Sequence, residues 1–146
     1  TGDVAISLGQ LLPTAKSIVV TTPQVAAAEV AERSGAVGLQ TGQGILGVIE
    51  NMAWLEQPDG SRMHIFGEGG GEQVAVRLSE LSGEPVGVLG QIPISVALRE
   101  GSDRGEPVVD GTPEDPAATA IKAIADRLLT LQRGLAGRKL NVTVQS

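Results

Sequence analysis

Four apolar residues in a short run, Ile45, Leu46, Val48 and Ile49, set the pattern of a strand buried on both faces. The run leads straight into Glu50-Asn51, two polar residues that a buried strand normally excludes. A β-branched run at Ser17–Thr22 (SIVVTT) and the stretch Val86–Ile92 (VGVLGQI), stopped by Pro93, predict two further buried strands. Between them the period lengthens. Thr1–Leu12 fits a short helix ended by Pro13, and Thr22-Pro23 predicts the cap and first position of an alanine-rich helix from Gln24 to about Leu39. Val74, Leu78 and Leu81 share one face of a predicted helix from Glu72 to about Leu81. Val96 and Leu98 fit a turn or two of helix before Gly101. Asp115-Pro116 caps a last helix in which Ala117, Ile121, Ile124, Leu128 and Leu131 recur every three or four residues.

Strands that alternate with helices predict the α/β class, with a mostly parallel sheet and flanking helices. Asp59-Gly60, set within Trp54–Phe66, adds a small β-hairpin insertion. Residues 134–146 show no period and are expected to hang free.

Composition narrows the classes. The chain has 146 residues, enough for one modest core, but its aromatic residues are Trp54 and Phe66 alone, so Ala, Val, Ile and Leu must fill the interior. A net charge of −6 argues against a nucleic-acid partner. No apolar run approaches the ~18 residues of a membrane span, so no membrane partner and a cytoplasmic location are expected. With no cysteine, neither a disulfide nor a thiolate metal site can form from these residues. The chain opens on Thr1 rather than Met, which reads as a piece of something longer.

The candidate sites are few. Gly42-Gln43-Gly44-Ile45-Leu46-Gly47 matches G-x-G-x-x-G, but it follows a predicted helix and opens a strand. That inverts the dinucleotide-binding context and favours a plain turn. Gly67–Gly71 precedes a helix, yet no Lys-Ser or Lys-Thr follows, and Glu68 and Glu72 would repel an anion. A hairpin-to-helix connection fits better. His64, the single histidine, has no Cys or second His to share a metal and reads as a hairpin surface residue. Asp103, Glu106, Asp110, Glu114 and Asp115 read as solvated loop carboxylates. Ligands of open α/β sheets sit beyond the carboxyl ends of the strands, which brings forward Asn51 and the Gln91-Ile92-Pro93 strand exit. An Asn there can read a base edge with its two-way amide, or can simply cap a turn.

Several segments, in order, resemble the Mrp/ApbC family of iron–sulfur cluster carrier ATPases, relatives of the MinD and ParA ATPases. They are TGD at Thr1–Asp3, VVTTPQ at Val19–Gln24, GVIENM at Gly47–Met52, IFGEGGGEQVA at Ile65–Ala75, LGQIPI at Leu89–Ile94 and REGSDRGEPVV at Arg99–Val109. The resemblance implies that residues 1–133 are the C-terminal portion of a P-loop ATPase domain and 134–146 a flexible tail. It implies ATP with magnesium as cofactor, Asn51 against the adenine, and Ile92 and Pro93 lying along the base. Gly2 and Asp3 would be the tail of the switch segment. A homodimer of the complete protein and iron–sulfur apo-protein clients are implied as partners.

Two departures follow. The family's lysine-containing phosphate loop is not among these residues, so the chain alone is expected not to hydrolyse ATP. The hairpin where many members carry C-x-x-C reads AWLEQPDGSRMH, which cannot ligate a cluster through thiolates. A MinD- or ParA-like regulatory ATPase and a non-catalytic interaction module are the competing readings. An open strand edge, at Ser17–Thr22 or a neighbour, is expected to make the isolated chain dimerise or aggregate.

Overall fold

The computed structural model describes residues 2–136. Three strands form its frame: β1 (Ser17–Thr21), β2 (Ile45–Glu56) and β4 (Val88–Ile94). Both β1 and β4 pair parallel with β2, one on each edge. β3 (Arg62–Met63) returns antiparallel on the far end of β2, with Leu55 opposite Met63. Because Leu55 also faces Ile94 of β4, the hairpin takes the β1 side of β2, just beyond the end of β1. The expected α/β class, with its mostly parallel sheet and small hairpin, is the observed one.

The helices divide between the two faces. α2 (Val25–Gln40) and α3 (Gly70–Ser82) cover one side. There Val19 and Val48 meet Ala28, Ala31, Val74, Ala75 and Leu78 in a core without aromatics. Small residues let the two helices approach: a Cβ on Gly35 would lie 2.6 Å from Leu78. α6 (Pro116–Ala136) crosses the other side, with Ile124 pressed against Gly90. α1 (Gly2–Leu11) packs on α2, with Gly9 against Thr41. α4 (Val96–Arg104) and α5 (Val108–Gly111) lie between β4 and α6.

Several boundaries differ from the sequence expectation, each for a local reason. Thr22 does not cap α2; its cap position is Gln24, and the Thr22 and Pro23 carbonyl oxygens instead lie 2.5 and 2.7 Å from where a Cβ on Gly70 of α3 would stand. Pro93 does not stop β4, which continues to Ile94. β4 has a single strand partner among the described residues, and an edge strand tolerates the missing N–H. α4 runs through Gly101, whose missing side chain admits the Glu106 carbonyl 2.5 Å from where a Cβ would stand. The last helix starts as expected, with Asp115 accepting from the Ala117 N–H at 2.8 Å. Residues 134–136, expected in the tail, belong to α6, and 137–146 lie outside the described residues.

The expected open edge is at β1. Among the described residues β1 pairs with β2 alone, and on its α6 side Val20 is 57% exposed. A groove of about 550 Å³ runs along this edge, walled by Ala27, Val30, Ala31 and Ser34 of α2, with Asn51 at its end.

Candidate functional site

The carboxyl end of β1 lies beside the middle of β2 and level with the middle of β4. Thr21, Glu50 and Gln91 form one row across the sheet, and Asn51 stands beside Ile92 in the next. Asn51, Ile92 and Pro93 are therefore brought together, as neighbours on adjacent strands. Gly2 and Asp3 are not part of this group. They open α1, whose packing partner is α2, and Asp3 is exposed in the first turn.

Side chains alternate across a strand, so Glu50 and Asn51 serve opposite faces. Glu50 points into the α3 side and is only 2% exposed. Its Oε2 accepts from the Gly71 N–H at 2.6 Å, and its Oε1 accepts from Gln91 Nε2 at 2.8 Å. A buried carboxylate is costly unless donors meet it. The first turn of α3 offers unsatisfied N–H groups and the positive end of a helix dipole. Gly71 permits the contact, since a Cβ there would lie 2.9 Å from Glu50 Cβ. Glu50 is thus the tie between β2, β4 and the start of α3. Its sequence signal was the pairing of an acidic residue inside an apolar run with a glycine run at a helix start.

Just past Asn51 the ladder breaks. From Asn51 to Leu55 β2 advances four residues while β4 advances two, from Ile92 to Ile94. Met52 takes up the excess in a left-handed conformation with φ of 55°, which a non-glycine residue adopts at a cost on the order of 1 kcal/mol. The Asn51 Oδ1 accepts from the Met52 N–H at 2.9 Å, so the amide is oriented by the bulge itself. This bond reaches only the next residue and is not the helix or turn cap considered for Asn51. It does not occupy Nδ2 or the second lone pair of Oδ1.

The hairpin beyond the bulge packs around Trp54, 8% exposed, with the Arg62 guanidinium 3.9 Å from its ring centroid. His64 lies on this hairpin, 6.4 Å from the Trp54 ring, with Nε2 3.3 Å from Glu68. Asp59 closes the turn, accepting from both the N–H and the hydroxyl of Ser61. These bonds, the hydroxyl's first, hold its carboxyl below the ordinary aspartate range.

The other candidates settle into structural roles. Gly42 makes the turn between α2 and β2 with φ of 80°, as the inverted glycine motif suggested. Gly67–Gly71 is a hairpin-to-helix connection, with left-handed Gly69 capping α3. Asp103 and Glu106 pair with Arg99 and Arg104. Among the described residues no three His, Cys, Asp or Glu side chains are grouped to hold a metal ion, and no helix is long and apolar enough to cross a membrane.

The chain is 54% identical over 142 residues to an iron–sulfur cluster carrier protein of Mycobacterium leprae, covering 97% of this chain and 37% of that protein. A protein of the same name from Synechocystis is 38% identical over 130 residues, covering 88% of this chain and 35% of its own length. The chain thus spans little more than a third of these relatives. Among solved structures, the MinC:MinD cell division protein complex of Aquifex aeolicus superposes with a TM-score of 0.57 at 23% identity, over 90% of this chain and 46% of the other. That likeness establishes the fold. A nucleotide-binding protein from Archaeoglobus fulgidus, solved in complex with ADP, gives a TM-score of 0.53 at 32% identity, over 70% of this chain and 40% of the other. The family profile that matches residues 1–129 is ParA, described as the NUBPL iron-transfer P-loop NTPase, and the chain belongs to that family.

Proposed function

We propose that this chain forms the adenine-binding side of the nucleotide site in an ATP-dependent iron–sulfur cluster carrier. The observation that carries the reading is the placement of Asn51, half-buried at the last regular pair of the β2–β4 ladder before the bulge, in register with Ile92 and next to Pro93. An amide held there presents a donor and an acceptor to the edge of a purine, and the adjoining residues of β4 offer apolar backing for the ring. The phosphates and magnesium need a lysine-containing glycine loop, a pattern these 146 residues do not contain. In this reading they are held by the rest of a longer protein, with Gly2 and Asp3 at the end of its switch segment.

The iron–sulfur cluster is cargo in this reading. Thiolate ligation from this chain is excluded by its lack of cysteine, so the thiolates that hold the cargo belong to another part of the protein or to the client. The cysteine-free hairpin also favours a second reading, a MinD- or ParA-like regulatory ATPase. Iron and sulfide content after anaerobic reconstitution of the full-length protein separates the two. The full-length protein acts as a homodimer in the cytoplasm in both readings.

The base side is tested by titrating ATP into the full-length protein and its Asn51→Ala variant. Loss of one bidentate amide contact is expected to weaken ATP binding by roughly tenfold. Unchanged affinity in a folded variant would remove Asn51 from the site.

A further inference from the structure

We propose that Glu50 is a positioning residue that sets base selectivity, by holding the bulge that orients the Asn51 amide. The inference rests on the nucleotide reading of Asn51 and deepens it.

An asparagine amide reads adenine only when its two ends face the right way. Adenine presents a donor at N6 beside an acceptor at N7, whereas guanine presents two acceptors at O6 and N7. A freely turning amide can offer its NH₂ to either base and discriminates weakly. Here the amide is not free. The Met52 N–H, donated to Oδ1 at 2.9 Å, fixes which end is oxygen and leaves Nδ2 directed away from the bulge. The oxygen keeps one lone pair for an exocyclic amine.

That orientation depends on Met52 staying in its left-handed conformation, with φ of 55°. A strained residue of this kind persists only where its surroundings over-determine it. On the amino side of the bulge, the group that does so is Glu50. Its carboxylate ties β2 to Gly71 of α3 and to Gln91 of β4, both within 2.8 Å. The Gln91 bond lies across the ladder one residue before the Asn51–Ile92 pair. A carboxylate 2% exposed that meets two neutral donors is an expensive way merely to fasten a helix. Its position next to the strained turn explains why the tie falls at residue 50. Releasing it lets β2 slip or relax at residue 52, and the amide loses its fixed sense.

The test compares ATP and GTP affinity in the full-length protein, with thermal melts to verify folding. Glu50→Ala is expected to bring an ATP preference of about tenfold or more down to within roughly twofold. Glu50→Gln, whose carbonyl can still accept from Gly71 and whose amide Gln91 can meet by turning its own, is expected to restore the preference. Gln91→Leu removes one donor at an exposed position and is expected to lower the preference partway; if Glu50→Ala does not fold, this variant decides. An unchanged ATP-to-GTP ratio in the folded variants, while Asn51→Ala weakens ATP binding, overturns the positioning role alone. Unchanged ATP affinity in Asn51→Ala overturns the nucleotide reading and this inference with it.

Discussion

Ser95 donates its hydroxyl to Asp115 Oδ2 across 2.9 Å, and each of the two residues caps a helix of its own. Ser95 Oγ accepts from the Leu98 N–H at the start of α4, while Asp115 Oδ1 accepts from Ala117 at the start of α6. One pair therefore locks the strand exit of β4 to the helix that crosses the opposite face. Asp115→Ala removes a cap and leaves Ser95 without its acceptor. A loss of about 1–2 kcal/mol is expected, read as a lower melting temperature. Asp115→Asn, which keeps an acceptor oxygen, should recover most of it.

The start of α3 tolerates no side chain. Gly71→Ala places a Cβ 2.9 Å from Glu50 Cβ, and Gly70→Ala places one 2.5 Å from the Thr22 carbonyl oxygen. The first must displace a buried carboxylate and the second must displace backbone. Both are expected to destabilise by roughly 1–3 kcal/mol or more, with Gly70→Ala the worse. Chemical denaturation of the three proteins side by side measures the order.

Arg62 covers the one tryptophan. Arg62→Ala should shift Trp54 emission to longer wavelength, as water replaces the guanidinium over the ring. Stability should fall by only about 0.5–1 kcal/mol. An unshifted spectrum would mean that the hairpin does not hold Arg62 there in solution.

Asp59 gives the hairpin turn a pH dependence of known sign. Ser61 holds its carboxyl below the ordinary aspartate range, so the ionised form is favoured in the folded turn. The resulting stabilisation is fully present above the unfolded-state value and is lost as pH falls through the lower folded-state value. Following the Asp59 carboxyl carbon by NMR should give a depressed midpoint, and Ser61→Ala should raise it.

Arg127 on α6 reaches the free edge of β4 and donates to the Leu89 carbonyl at 2.7 Å. It occupies an acceptor that another strand could use. Arg127→Ala is expected to increase self-association, seen by light scattering. The effect should add to whatever association the open edge of β1 already causes in the isolated chain.

Much of this architecture can be read in the residues alone. Apolar runs at Ile45–Ile49 and Ser17–Thr22 are strands because β-branched residues favour the extended backbone. In β1, however, only Val19 and Thr21 are buried, and Ile18 and Val20 are exposed on the open edge. Asp115-Pro116 states its helix cap outright. Pro93 and Gly101 were misleading because their meaning is set at a distance. Pro93 is harmless on an edge strand, and Gly101 is a packing contact with Glu106 rather than a break. Asn51 stood out as a polar residue at a strand exit. Glu50 beside it was visible only as an oddity, since its donors come from Gly71 and Gln91, 21 and 41 residues away. The Met52 conformation had no sequence signal, because methionine carries no preference for it.

β2 is twelve residues long and belongs to two structures at once, the parallel sheet, whose ladder runs to Asn51 and resumes at Leu55, and the hairpin, which starts at Leu55. Met52, Ala53 and Trp54 lie between the two stretches of the β2–β4 ladder. A twist or tug applied at the hairpin tip meets β4 first at Leu55, paired with Ile94, and what remains runs through buried Trp54 and Ala53 to Met52. The bulge is the knuckle of that finger, fastened to β4 on both sides, at Asn51–Ile92 and at Leu55–Ile94.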